Sequence, residues 1–129
     1  MSSSNTRSES ISYDTGDYNT GVGKWALYSN TIGIQNTGVG SAALQNNTTG
    51  SYNQAFGMQS LLSNSTGSRN TGLGYNALLN NTTGVDNLAA GYQAGMTNTY
   101  GYQNISVGKE ANYSVVTGFA NVSVGHQAN

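Results

Sequence analysis

The sequence predicts an all-β fold, a parallel β-solenoid built from 17-residue coils. Asparagine recurs at every seventeenth position without one insertion, and two columns of glycine keep the same step. A short fixed repeat is typical of chains that stack similar coils around a shared core. The asparagines are Asn19, Asn36, Asn53, Asn70, Asn87, Asn104 and Asn121. The first glycine column is Gly23, Gly40, Gly57, Gly74, Gly91, Gly108 and Gly125, and the second is Gly16, Gly33, Gly50, Gly67, Gly84, Gly101 and Gly118.

Both glycine columns are predicted to be structural corners. Glycine adopts positive φ at little cost, which a sharp change of chain direction needs, and the "NTTG" phrases before the second column are rich in turn-forming residues. Hairpins, the rival all-β arrangement, favour Asn-Gly or Asp-Gly turns, and neither dipeptide occurs in the sequence. We therefore expect about six and a half coils, which at ~4.8 Å per coil span roughly 30 Å.

One strand per coil is predicted beside the first glycine column. We expect the apolar residue directly before each of these glycines to point inward, and the small residue before that to allow the close approach of another backbone. The apolar residues are Val22, Val39, Phe56, Leu73, Ala90, Val107 and Val124, and the small ones are Gly21, Gly38, Ala55, Gly72, Ala89, Ser106 and Ser123. The asparagine column is expected to form a ladder in which each amide bonds to the next coil.

The middle of each coil is predicted to form a short helical turn, because segments such as "SAALQNN" and "YNALLNN" contain good helix formers. An inward leucine is expected there in four coils, at Leu27, Leu44, Leu61 and Leu78. Glycine or asparagine takes this place in the last units, at Gly95, Asn112 and Asn129.

The chain divides into residues 1–15, an expected anchor or cap without a glycine column, and residues 16–129, the repeat solenoid. The apolar core of each coil is thin compared with the backbone that folding must order. A core shared by parallel chains would improve this balance, so we expect an intertwined or side-by-side homotrimer with cyclic symmetry. A monomeric solenoid is the alternative.

Composition argues against several classes of function. The net charge is −1 and charged residues are 7% of the chain, so no basic surface is expected to hold nucleic acid. No apolar run approaches the ~18 residues that membrane insertion needs. The chain lacks cysteine, and its single histidine, His126, lies in a variable column where a surface position is expected. We therefore predict no catalytic, cofactor-binding or metal-binding residues and no enzyme activity.

Three sets of polar or aromatic residues are candidates for surface roles. Asn47, Asn64 and Asn81 match glycosylation sequons in a turn phrase where exposure is expected. Columns of threonine beside the glycine corner are candidates for ice binding or for simple turns. Tyr75 and Tyr92 share one column and could contact a glycan, although tyrosine also suits half-buried strand positions.

The repeats "NTGVGSAALQNNTTG" and "NTGLGYNALLNNTTG" resemble those of bacteriophage and algal-virus tail or surface fibres. The segment "NISVGKEANYSVVTGFANVSVGHQAN" is similar to the head repeats of trimeric autotransporter adhesins. The resemblance covers about residues 16–129 and implies a parallel β-roll in a homotrimer. The adhesin unit is shorter than the repeat of this chain and lacks the leucine. The handedness of the coil is therefore implied only by the resemblance and is not predicted from the repeat itself.

We therefore expect a structural protein, a shaft or head segment of a viral tail fibre that spaces or presents a receptor-binding tip. The expected location is the virion or an extracellular surface, with virion or fibre proteins as partners at the ends. The charged segment from Met1 to Lys24 is expected to meet water or an anchor, and the segment from Ala111 to Asn129 to continue into fibre, tip or subunit. The alternatives are a solenoid adhesin that binds glycan or ice, and a subunit of a head-to-tail filament.

Overall fold

The computed structural model describes residues 6–8 and 16–129. Most of the predicted anchor or cap at residues 1–15 therefore lies outside the described residues. Eight strands form one parallel sheet in chain order. They are β1 (Thr6–Ser8), β2 (Thr20–Val22), β3 (Thr37–Val39), β4 (Gln54–Phe56), β5 (Thr71–Leu73), β6 (Leu88–Ala90), β7 (Ile105–Val107) and β8 (Val122–Val124).

The strand register confirms the predicted parallel β-solenoid with its 17-residue coils. Thr20 of β2 pairs with Thr37 of β3, and the same offset in residue number continues to β8. The first pair differs, because Thr6 of β1 lies opposite Thr20 and its offset is therefore shorter. The sheet is one narrow ribbon of three-residue strands that runs along the solenoid axis.

The strands face the opposite way from the prediction. The small middle residue of each strand from β2 to β8 is buried, and the residues on either side are half-buried or exposed. Val22 is 42% exposed, whereas Ala55 is fully buried. The reason is the thinness of the coil: a Cβ atom at Gly38 would lie 3.1 Å from the Ala43 carbonyl oxygen of the opposite wall. Only a small residue fits inside, so the apolar column points outward.

The predicted helical turns are instead successive β-turns, and the described residues contain no helix. Ala43 N donates to Gly40 O at 3.3 Å within one coil, but Leu44 N donates to Ser60 O at 3.0 Å in the next coil. A helix would keep all of these bonds within one segment. Alternate residues adopt positive φ, with values of 60° at Ala42 and 52° at Leu44. Half of the turn's N–H groups thereby join neighbouring coils.

The apolar core is a column of leucines lined by alanines. Leu27, Leu44, Leu61 and Leu78 point inward as predicted and are 0–2% exposed. All four adopt positive φ between 51° and 53°, a conformation that costs a β-carbon-bearing residue about 1 kcal/mol or more. Burial of the side chain offsets that cost. Gly95 and Asn112, which continue the column, also have positive φ and belong to residue types that accept it readily.

The two glycine columns have different physical causes. The first has φ between 119° and 137°, the positive values expected of a corner that needs glycine. In the second, from Gly33 to Gly118, φ lies outside the left-handed range, so the expectation of positive φ was wrong there. A Cβ atom at Gly50 would lie 2.2 Å from Gly67 O and 2.5 Å from Asn47 Oδ1. Glycine is required at this corner because the interior has no room for a side chain.

Candidate functional site

The predicted ladder asparagines, Asn19 to Asn121, lie in one inward column beside the strands. Asn36 N donates to Asn19 Oδ1 at 2.8 Å, and Asn36 Nδ2 donates to Gly50 O at 2.8 Å. The same two kinds of bond recur along the column. Each amide therefore joins its coil to the preceding one and also closes the second corner of its own coil. This column is called the first asparagine ladder below.

A second asparagine ladder lies on the other side of the same corner. It comprises Asn30, Asn47, Asn64, Asn81 and Asn98. Asn47 Nδ2 donates to Asn30 Oδ1 at 2.6 Å, and the donor–acceptor distance lengthens to 3.3 Å between Asn98 and Asn81. Val115 occupies the next position, so the ladder ends there and Asn98 Oδ1 has no hydrogen-bond partner.

Sequence reasoning missed this second ladder, although its 17-residue spacing was visible. The asparagines stand in Asn-Thr-Thr-Gly phrases, which are also ordinary turn chemistry. The expected exposure of the sequon residues Asn47, Asn64 and Asn81 was wrong, because all three are fully buried. Their amide nitrogens also donate hydrogen bonds to the preceding coil. These positions are therefore inaccessible to glycosylation in the folded chain.

The hydroxyl column beside the second ladder is used to join coils. Thr48 Oγ1 donates to Ser65 O at 3.0 Å, and Ser65 Oγ donates to Thr82 O at 3.1 Å. Thr31 and Thr82 make the same contact with the carbonyl group of the next coil. These hydroxyl groups donate along the solenoid axis to the next coil, so the column does not present a free array of donors for ice.

The two predicted glycan-contact residues are in contact with each other. The rings of Tyr75 and Tyr92 stack with centroids 5.5 Å apart and an interplanar angle of 15°. Lys109 Nζ lies 5.9 Å from the Tyr92 ring centroid on the next coil. The rings occupy part of one another's faces, so a ligand would meet mainly their edges and hydroxyl groups. A second stack, between Tyr102 and Phe119, was not predicted.

Two carboxylates on the surface accept hydrogen bonds from side chains of the adjacent coil along the solenoid axis. Arg69 Nε lies 2.6 Å from Asp86 Oδ1, and the hydrogen bond from the guanidinium holds the pKa of Asp86 below its usual value. Gln127 Nε2 donates to Glu110 Oε2 at 2.7 Å and, with Lys109 and His126 nearby, lowers the pKa of Glu110. Both contacts join residues 17 positions apart, so they tie adjacent coils together rather than form a site.

The outer face of the sheet carries a row of apolar side chains along the solenoid axis. The sheet-face stripe consists of the last residue of each strand from β2 to β8, Val22, Val39, Phe56, Leu73, Ala90, Val107 and Val124. The flanking column consists of the first residue of each strand from β2 to β8, Thr20, Thr37, Gln54, Thr71, Leu88, Ile105 and Val122. Val22, Phe56, Leu73 and Val124 are all at least 40% exposed. Neither column contains a charged residue.

Comparisons with protein families, curated proteins and solved structures found no match to this chain. Within residues 6–8 and 16–129 no three metal-ligating side chains gather into a group. No helix in the same described segments is long and apolar enough to span a membrane.

Proposed function

We propose that this protein is a structural shaft or head segment of a viral tail fibre, built from three parallel copies of the chain. A parallel β-solenoid is compatible with a fibre-like or adhesin-like structural role, and the repeat resemblance favours the tail fibre. The virion or an extracellular surface is the proposed location, and other virion or fibre proteins are the proposed partners at the ends. The observation that carries the proposal is the sheet-face stripe, an apolar band of exposed and half-buried side chains that follows the axis through seven coils.

The size of this face sets the area that copies of the chain can bury there. Seven coils at ~4.8 Å give a length of roughly 30 Å, and the residues from the flanking column to the position after the glycine corner give a width of roughly 17 Å. One copy can therefore bury about 500 Å² there, so a pair of copies would bury about 1,000 Å². A stable interface between two partners usually buries about 1,200–2,000 Å² in total, so the stripe alone makes a small interface. The three-fold arrangement is supported by the thin core of each coil and by the repeat resemblance, and it leaves the ends free for other fibre proteins.

The test is the mass of the chain in solution, measured by sedimentation equilibrium at micromolar concentration. We expect three copies, and we expect the Leu73→Asp variant to be monomeric because its carboxylate would be buried among apolar side chains. The matched control is Thr66→Asp, on an exposed turn away from the sheet, which should keep the mass of the wild type. A folded monomer of the wild-type chain would contradict the proposed assembly.

A second candidate, a glycan-binding adhesin, is favoured by the exposed Tyr75–Tyr92 stack beside Lys109. Exposed tyrosine edges and an ammonium group suit hydroxyl-rich or acidic sugars. Binding of the assembled protein to immobilised sialylated and neutral oligosaccharides tests this role. The Tyr75→Ala/Tyr92→Ala variant should lose binding, whereas Tyr52→Ala, another exposed tyrosine, should retain it. Equal binding by both variants would exclude the stack as the site.

A further inference from the structure

The interior of the solenoid changes after the fourth coil. The inward column of residues with positive φ is leucine in the coils between residues 19 and 86, and these leucines are buried. In residues 87–129 the column becomes Gly95, Asn112 and Asn129. The Asn112 side chain is enclosed, and neither its Nδ2 nor its Oδ1 atom has a hydrogen-bond partner. Residues 87–129 therefore bury less apolar side chain per coil than the preceding coils do.

The flanking column on the outer face of the sheet changes in the opposite sense at the same place. The flanking column is threonine or glutamine in the first four coils and becomes Leu88, Ile105 and Val122 in the last three. Ile105 is 38% exposed and Val122 is 69% exposed, whereas Ser106 between the two outward positions of β7 is buried. In residues 87–129 large apolar side chains are thus found on the outside and polar or small ones on the inside.

We infer that residues 87–129 are the segment through which copies of this chain associate first, and that their coils depend on that contact for stability. This inference rests on the proposed function and specifies the residues at which the proposed association begins. The first four coils hold their own apolar core and are stable without a partner. In the last three coils the only apolar side chains buried in the interior are alanines, and covering Leu88, Ile105 and Val122 would add large apolar side chains to the buried surface.

The partner that fits this face is a second copy of the chain. The exposed apolar residues repeat every 17 positions and therefore at the spacing of one coil, ~4.8 Å. A second copy in parallel presents the same spacing, so its side chains can interdigitate along the whole face. Residues 87–129 alone offer about 210 Å² per copy, three of the seven coils of the face, which is too little for a stable interface. Contact that begins there therefore extends along the stripe into the first four coils, where a second solenoid presents side chains at the same 17-residue spacing.

The experiment compares two double variants of the full chain. Leu88→Thr/Ile105→Thr gives the last coils the threonines that the first coils carry in the flanking column. The control, Ile32→Thr/Tyr100→Thr, removes two exposed apolar side chains from a different column, in which threonine is the common residue. Mass is measured by sedimentation equilibrium, and amide hydrogen exchange is followed separately for residues 19–86 and 87–129.

We expect the Leu88→Thr/Ile105→Thr variant to associate about tenfold more weakly or worse and to exchange amides in residues 87–129 about tenfold faster. Exchange in residues 19–86 should be unchanged, which shows that the variant is folded. The control should match the wild type. If the test variant keeps wild-type mass and protection, the inference is overturned while the proposed fibre stands. A monomeric wild-type chain overturns both.

A third variant separates interior from exterior effects. Adding Asn112→Leu to Leu88→Thr/Ile105→Thr replaces the unpaired amide with the residue that the column carries in the first coils. We expect slower exchange in residues 87–129 without recovery of the assembled mass. If instead the exchange rate stays as fast as in the double variant, the polar interior is not the cause of the dependence, and that part of the inference fails.

Discussion

At the scale of single residues, the fold is held by buried amides as much as by apolar side chains. Asn64 is fully buried and has both of its amide atoms bonded. Its Nδ2 donates to Asn47 Oδ1 at 2.7 Å and to Gly67 O at 2.9 Å, and its Oδ1 accepts from Asn81 Nδ2 at 2.8 Å. A buried ladder of this kind is stable only when each member is bonded, because an unpaired amide inside a protein costs free energy.

The ladder predicts a large effect for one substitution. Asn64→Ala leaves Asn47 Oδ1 without its donor in the interior and removes one of the two acceptors of Asn81 Nδ2, which keeps only Gly84 O. We therefore expect the free energy of unfolding to fall by about 2–4 kcal/mol. Asn46→Ala is the control, because Asn46 is exposed and should change stability by less than about 0.5 kcal/mol. Denaturant unfolding of the two variants measures the difference. Similar losses for both would show that the amide bonds contribute little.

At the scale of one coil, the hydrogen bonding between neighbouring coils is least complete between residues 95 and 120. The second asparagine ladder ends there because valine, not asparagine, stands 17 positions after Asn98, at Val115. Asn98 Oδ1 is therefore buried and unpaired. In the preceding coils that oxygen accepts from the asparagine of the following coil. Repeat proteins are stabilised by such contacts between neighbouring units, so one missing contact weakens one interface.

Val115→Asn should repair this interface. The new amide would donate to Asn98 Oδ1 and to Gly118 O, as the other ladder members do with their own partners, and we expect stability to rise by about 1 kcal/mol. Val116→Asn is the matched control, since Val116 is 47% exposed and points away from the ladder. A thermal melt of each variant is sufficient. An unchanged or lower melting temperature for Val115→Asn would mean that the ladder geometry does not extend into this coil.

The same scale shows what could be predicted from the sequence. The period, the parallel stacking and the inward leucines follow from spacing alone, because one repeat occupies one coil. The direction in which each strand side chain points does not follow from spacing. Alternation predicts that side chains lie on two faces, but it does not predict which face points into the interior of the coil. The turn was mistaken for a helix because propensity describes bonds within a segment, whereas Leu44 and its equivalents bond to the next coil. The second ladder was missed because turn chemistry and buried amides use the same residues.

At the scale of the whole molecule, the chain is a stack in which each coil contacts only its neighbours. Every strand pair is parallel, and from β2 onward the offset between paired residues is constant. Both asparagine ladders, the leucine column and the first glycine column depend on this single offset. Length is therefore free to vary by whole coils, whereas a change of one residue misaligns the columns at the junction where it occurs.

This property gives a sharp test with two deletions that differ by one residue. Deletion of residues 36–52 joins Gln35 to Asn53 and removes one complete coil, so all columns remain aligned. We expect a folded protein with a modestly lower melting temperature, because one coil-to-coil interface is lost. Deletion of residues 36–51 leaves Tyr52 as one extra residue at the junction, so Asn19 and Asn53 no longer stand 17 positions apart, although the coils after Asn53 keep their register. We expect that variant to melt at a clearly lower temperature than the whole-coil deletion, because the contacts across the junction are misaligned. If the two deletions melt alike, the coil does not depend on the 17-residue register.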